Sequence, residues 1–337
     1  MLPPNSSRWA CRCCIQAASR AASSTAGWWQ KKLTLNGFSE GQHHLRAAVR
    51  PSARAIPQGD NVEQVSISGL AADTDWSAAL HQTQAVVHCA ARVHVMSETA
   101  SDPLAEFRRI NVEGTLALAR QAQQAGVRRF VFISSIKVNG EQTGPGTPFH
   151  ADDIPAPIDP YGISKMEAEQ ALLELGRTSQ MEVVVIRPVL VYGPGVKANF
   201  LSMMRWLDKG VPLPLGGITT NRRSLVALDN LVDLITVCLT HPAAAGQVFL
   251  VSDGDDLSTT AMLRRLAQAL GKSPALLPIP ACCLAWAARL LGKAGIAQRL
   301  CGSLQVDISK NRELLGWTPP TSVDQAFKKT VDAYRRG

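Results

Sequence analysis

From residue 45 onward, short continuous apolar runs alternate with longer stretches whose apolar positions recur every three or four residues. Runs of the first kind predict strands buried on both faces, and runs of the second kind predict helices packed over them. Leu45–Val49, Val62–Ile67, Ala85–His88, residues 127–133 and Val183–Ile186 read as strands. Asp102-Pro103 opens a helix that runs to about Ala125 and is closed by Gly126, and a second helix runs from about 161 to 176. Strands separated by helices of this length give right-handed βαβ units, hence an α/β fold with a doubly wound parallel sheet.

Beyond Pro188 the rhythm loosens into a loop rich in Gly and Pro. Helices follow near 199–209, 229–240, 258–270 and 323–335, with short strands at 224–228 and 247–251. This pattern predicts a smaller, mostly helical C-terminal substrate lobe. The apolar stretch Ala275–Leu291 is interrupted by Pro278, Pro280 and Arg289, which leaves it too short to span a bilayer. Cys282 and Cys283 within it are expected to pack as small hydrophobes.

Composition narrows the partners. With 337 residues and 46% hydrophobic content, the chain can bury a large core. The formal charge of +8 is concentrated at the front, where residues 1–60 hold eight Lys/Arg against only Glu40 and Asp60. The remainder is close to balanced, so no nucleic-acid partner is expected. Eight cysteines show no paired CxxC knuckles and no His/Cys spacing of the metal type. Free thiols in a reducing cytoplasm, and no metal, are the expectation.

The chemistry centres on Tyr161-Gly162-Ile163-Ser164-Lys165. A phenol with a pKa near ~10 is a poor base at neutral pH unless a positive charge stabilises its phenolate. An i, i+4 spacing puts Tyr161 and Lys165 on one helix face, where the ammonium can act on the phenol or on a neighbouring ribose hydroxyl. Asp159-Pro160 starts that helix, and Ser135 follows the strand that ends in Phe130-Val131-Phe132-Ile133. Open α/β sheets bind ligands at the carboxyl ends of such strands. Ser135, Tyr161 and Lys165 are therefore the expected catalytic residues.

Several further motifs, in this order and spacing, make residues 45–337 resemble an extended short-chain dehydrogenase/reductase of the nucleotide-sugar epimerase, dehydratase and ketoreductase branch. His88-Cys89-Ala90-Ala91 resembles that family's loop after the fourth strand, Asn111-Val112-Glu113-Gly114-Thr115 its mid-helix motif, and Arg187-Pro188 with Val191-Tyr192-Gly193-Pro194-Gly195 the segment lining the nicotinamide. The resemblance implies a Rossmann domain with NAD or NADP held by Arg50, Ala90, Ala91, Asn111, Tyr161, Lys165, Pro188 and Val189. It also implies a nucleotide-sugar substrate met by Asn199, by Arg223 and, with an added anionic contact, by Lys137. Arg50 after the second strand favours a 2′-phosphate modestly. Leu315-Gly316-Trp317 resembles a terminal signature, with Trp317 as packing.

Departures steer the substrate. Leu190 stands where related epimerases commonly carry a substrate-binding asparagine, Asn139 replaces a tyrosine, and Ser68-Gly69-Leu70 lacks an aspartate that meets adenine in relatives. These differences point to a UDP-amino- or deoxy-sugar for surface polysaccharide, handled by an epimerase or a 4-ketoreductase. A noncatalytic dinucleotide-binding homologue and a hydroxysteroid-type dehydrogenase of the same fold are the rivals. A homodimer is left open.

The front end lacks the expected glycine-rich turn, since residues 1–30 contain a single glycine, Gly27. The domains accordingly read as an aberrant or disordered segment 1–30, an incomplete Rossmann domain 31–190 whose first strand and Gly-rich loop are absent, and a substrate lobe 191–337. Read two bases later, the codons of Gly27-Trp28-Trp29-Gln30 give an apolar helix-like run, so a shifted translation of the lost strand and loop is favoured over an organelle leader or a diverged start.

Overall fold

β-Branched and aromatic side chains suit a pleated surface buried on both sides, and the runs richest in them form the middle of the sheet. The computed structural model of the protein describes residues 12–16, 44–50, 62–93, 102–144, 146–290, 292 and 294–336. Its strands are β1 (Arg12–Gln16), β2 (His44–Val49), β3 (Val62–Ser66), β4 (Ala85–His88), β5 (Arg129–Ile133), β6 (Glu182–Pro188), β7 (Leu190–Tyr192), β8 (Leu225–Ala227) and β9 (Val248–Val251). The main sheet has the order β3-β2-β1-β4-β5-β6-β9, the reversal at β1 that defines a doubly wound fold. The α/β expectation is met.

The absence of a first strand is corrected by this sheet. Arg12–Gln16 lies parallel between β2 and β4, with Cys14 opposite Arg46 on one side and Val86 on the other. A central parallel strand is held through its backbone on both edges. The short Arg-Cys-Cys-Ile-Gln run meets that need without the apolar signature that sequence reading looks for. The Gly-rich loop, read from the sequence as absent, and the rest of residues 1–30 lie outside the described residues.

The chain divides into two compact units: Met1–Ser134 with Asp159–Ile186 and Ile235–Gln247, and Ser135–Ile158 with Arg187–Leu234 and Val248–Gly337. In the first, β5 and the inner part of β6 are buried along their length, and buried arginines anchor the strand starts. Arg129 Nε donates to Glu182 at 2.7 Å, and its Nη1 donates to the carbonyls of Cys238 and His241. The long helix expected over 102–125 is three consecutive pieces after the short α1 (Ser77–Leu80): α2 (Pro103–Arg108), a π-helical segment Arg109–Gly114, and α3 (Thr115–Gln124). The π segment inserts an extra residue into the turn at Asn111, a device common at functional sites. Gly114 closes it because a Cβ there would sit 3.0 Å from the Leu70 backbone. The unit is completed by α4 (Pro160–Arg177).

The second unit holds β7 paired parallel to β8, α5 (Ala198–Asp208), α7 (Thr259–Ala269), α8 (Ala281–Leu290), α9 (Ala294–Cys301), α10 (Ser309–Leu315) and α11 (Val323–Arg336). The boundary between the units falls within α6 (Leu228–Thr240). The stacked rings of Tyr192 and Phe200, with Phe327 against both, form the centre of its core. Asp253 collects hydrogen bonds from Ala227 N, Asn230 Nδ2 and Tyr192 Oη, which satisfies a carboxyl whose pKa burial raises. Trp317 is buried as expected, its indole N–H donating to Asp233 at 2.7 Å. Cys282 and Cys283 depart from expectation: both are exposed, because α8 turns only its Ala281 and Leu284 side toward the core. Among the described residues no helix is long and apolar enough to cross a membrane.

Candidate active site

Within the first unit, local sequence sets the start of α4. Asp159 caps it, its Oδ1 accepting from Gly162 N at 2.7 Å, and Pro160 occupies the first turn, where a missing N–H is harmless. Tyr161 therefore stands in the first turn and Lys165 one turn on. The Tyr161 ring meets the buried Phe107 edge-on at 6.1 Å between centroids. Arg108 grips Glu167 through Nε and Nη2, clamping α2 to the same helix.

Lys165 is the most unusual side chain of the unit. It is 2% exposed, and its Nζ donates to Ile133 O at 2.7 Å and lies 3.9 Å from the centre of the Phe132 ring. No other hydrogen bond of this ammonium is formed among the described residues, so two of its three donors are open. Burial lowers its pKa to about 7, offset in part by the nearby Glu169 and Cys89. His88 stacks on the same ring, that of Phe132, at 5.6 Å between centroids and shares a 2.8 Å hydrogen bond with Thr115 Oγ1. Burial, and then the Lys165 charge, hold His88 well below its ordinary pKa, so it is neutral. Burial pushes the Cys89 thiol up to about 12, with Lys165 acting in the opposite sense, and it is no nucleophile.

Asn111 ties the loop after β4 to α4. Its Oδ1 accepts from Arg92 N at 2.7 Å, and its Nδ2 donates to Arg92 O and Ser164 Oγ, both at 3.0 Å. Ser164 Oγ in turn donates to Tyr161 O at 2.8 Å. The buried amide thus spends three hydrogen bonds on holding the backbone around Tyr161. Asn111→Leu, similar in volume, orphans the Arg92 amide and is expected to cost about 3 kcal/mol in urea unfolding. Ala90 and Ala91 are buried just after β4, and Arg50 lies half-buried directly after β2. Ser134 Oγ, buried at the carboxyl end of β5, has no hydrogen-bond partner among the described residues.

The second unit opens with Ser135, whose Oγ accepts from Lys137 N at 3.3 Å. Lys137 is paired with Glu141 at 2.7 Å, so an anionic ligand would share it with that carboxylate. Asn139 is buried, accepting from Arg187 Nη1 at 2.9 Å and donating to His150 O, which gives this departure from the family pattern a structural role. Pro188 and Val189 are buried at the end of β6, whereas Leu190 is exposed. Asn199 is exposed in the first turn of α5. Arg223 is half-buried, its backbone paired with Leu257 and its Nη1 donating to Gly302 O at 3.1 Å. Desolvation lowers its pKa, and no carboxylate lies within ion-pair distance among the described residues.

Sequence reading missed the π segment and the Phe132 ring that both His88 and Lys165 meet. The signal for the second was on hand, since His88 ends an apolar run and Phe132 sits two places before Ser134.

Known proteins frame this geometry. The model of the NAD dependent epimerase/dehydratase family matches residues 35–252. A UDP-glucose 4-epimerase of Vibrio cholerae is 51% identical over 304 residues, covering 90% of either chain. An N-acetyl-alpha-D-glucosaminyl-diphospho-ditrans,octacis-undecaprenol 4-epimerase of Escherichia coli O157:H7 is 26% identical over 68% of this chain and 72% of its own. The fold is also that of the UDP-glucuronic acid 4-epimerase from Bacillus cereus in complex with NAD, with a TM-score of 0.72 at 18% identity over 96% and 99% of the two chains.

Proposed function

Because the chain belongs to the NAD dependent epimerase/dehydratase family, we propose that it interconverts the C4 epimers of a UDP-hexose, UDP-glucose and UDP-galactose first among them. The observation that carries this reading is the 51% identity to a UDP-glucose 4-epimerase across 90% of both chains. The family makes it an enzyme with a nicotinamide dinucleotide cofactor. The residues present fit the nicotinamide and ribose end of that group. Buried Ala90 and Ala91 put little side chain between backbone and ligand, Ser134 Oγ awaits a partner, and Lys165 keeps two donors open. Asn111 holds the surrounding backbone, with Arg50, Pro188 and Val189 as further proposed contacts.

When bound, the cofactor supplies a reversible hydride acceptor. Tyr161 takes the proton from the sugar C4 hydroxyl as that carbon is oxidised, and gives it back when the other face of the 4-keto sugar is reduced. The charged form of Lys165 stabilises the phenolate before the proton is taken and after it is given back. Ser135 holds the oxygen at C4. Positioned proton transfer of this kind contributes ~10²–10⁴-fold.

Arg223 and Asn199 are the proposed contacts to the nucleotide-sugar. A guanidinium whose one side-chain hydrogen bond among the described residues goes to the Gly302 carbonyl suits a diphosphate, which it can engage with two parallel hydrogen bonds. Arg223→Ala is expected to weaken binding of UDP by about 10–100-fold in calorimetry, the loss of one or two charge-assisted hydrogen bonds. Unchanged UDP affinity would favour a hydroxysteroid-type substrate.

The second reading, a UDP-amino- or deoxy-sugar for surface polysaccharide, is favoured by Leu190 in place of the asparagine of related epimerases and by the relative that acts on an N-acetylglucosaminyl lipid. Kinetics with UDP-glucose and UDP-N-acetylglucosamine separate the two. The first reading expects kcat/KM to favour UDP-glucose by at least about tenfold, within what pocket shape can discriminate; the inverse ratio moves the assignment to amino sugars. The free thiols of Cys89, Cys238, Cys282, Cys283 and Cys301 support a cytoplasmic location.

A further inference from the structure

We propose that the outward face of α8 binds an anionic lipid surface, holding the enzyme against a membrane without crossing it. Three of the nine exposed large hydrophobic residues among the described residues fall within the fourteen positions 277–290: Leu277 at 47% exposure, Trp286 at 66% and Leu290 at 67%. Cys282, Trp286 and Leu290 recur every four residues and form one exposed apolar stripe along the helix. The opposite side of α8 is already used, since Ala281 and Leu284 pack against the core of the second unit. The stripe is therefore a surface in its own right rather than a poorly buried core helix.

Charge decides the occupant. Residues 257–306 contain six Lys/Arg and no Asp or Glu, in a chain that carries 27 acidic residues elsewhere. Exposed Arg289 borders the apolar stripe, and exposed Arg299 lies on α9, which packs beside α8. A helix with Trp and Leu on one side and exposed arginines beside it matches the interface between headgroups and acyl chains. A second copy of this chain is a poorer fit, because a two-fold interface would set the same uncompensated cations against each other. Anionic lipid headgroups compensate them, at roughly a five-fold gain in binding per cation near the surface.

Full-length protein is sedimented with vesicles of phosphatidylcholine alone and with vesicles containing a third phosphatidylglycerol. The expected result is capture by the anionic vesicles only, weakening with added salt. Arg289→Glu should reduce the partition coefficient at least five-fold, and Trp286→Ser with Leu290→Ser should abolish binding, while melting temperature and turnover of soluble substrate stay at wild-type values. Equal capture by both vesicle types, or none by either, overturns the proposal. So does sedimentation velocity in which Trp286→Ser with Leu290→Ser converts a dimer to a monomer, since the stripe would then be covered by a second copy.

Discussion

Tyr161→Phe is expected to lower turnover of UDP-sugar by ~10²–10⁴-fold, the span attributed to a positioned acid and base. The substitution removes one oxygen and leaves the ring, so the edge-on contact with Phe107 and the helix start capped by Asp159 persist. Stability and binding of UDP should stay near wild type, since the proposed UDP contact, Arg223, belongs to the other unit of the chain. Steady-state kinetics beside a thermal melt check both halves of this expectation. A Tyr161→Phe protein with undiminished kcat would remove the phenol from the chemistry. A protein that merely unfolds would show the loss in both readouts.

Lys165→Met is expected to lose activity and gain stability. The ammonium is buried with a single hydrogen bond to Ile133 O, and burial holds its pKa at about 7 against an ordinary 10.5. Between those two values the unfolded chain binds more protons than the folded one, so stability rises with pH from 7 toward 10.5 and is lost as pH falls back through 7. From this residue alone the gain between about pH 7 and pH 9 is on the order of 2 kcal/mol. Urea midpoints of the wild type should climb over that window. Lys165→Met, close in length and without charge, should flatten the climb and exceed the wild type at pH 7, while turnover falls about 100-fold or more for want of the charge beside Tyr161. A slope shared by both proteins would show that the cost of burying this ammonium is met elsewhere. The combination marks a group kept for chemistry at the expense of stability.

The placement of these two residues on one helix was legible in the sequence because its signal is local. Tyr161 and Lys165 share one helix face by spacing, and Asp159-Pro160 fixes where that helix begins. Asn111 was legible only as part of a resemblance. Its three hydrogen bonds reach Arg92 and Ser164, which are 19 and 53 residues away, and the π segment that aims it differs from a plain helix by a single inserted residue. No periodicity of apolar positions separates those two states.

The first strand was hidden for another reason. The apolar run of Arg12–Gln16, Cys13-Cys14-Ile15, is only three residues long, and its neighbours in the sheet, β2 and β4, start at residues 44 and 85. Backbone pairing at that distance leaves no mark in the short segment itself. Cys282 and Cys283 show the opposite failure, since the apolar composition of α8 was read as burial, and composition alone cannot say how much partner surface a helix finds. Lys137 and Asn139, read as departures in the substrate pocket, turn out to hold Glu141 and Arg187. Substrate identity depends on pocket shape, which is set by many such side chains together.

The proposed reaction is the inversion of C4 of a UDP-hexose by Tyr161 and Lys165 of this chain. Proton NMR of the purified protein with NAD, started once from UDP-glucose and once from UDP-galactose, tests it most directly. The expected result is the same mixture of the two sugars from either side, with no net change in the absorbance of reduced cofactor and with Tyr161→Phe failing to reach it. Unaltered sugars, or a sugar product formed only with stoichiometric consumption of cofactor, would exclude C4 epimerisation by this chain.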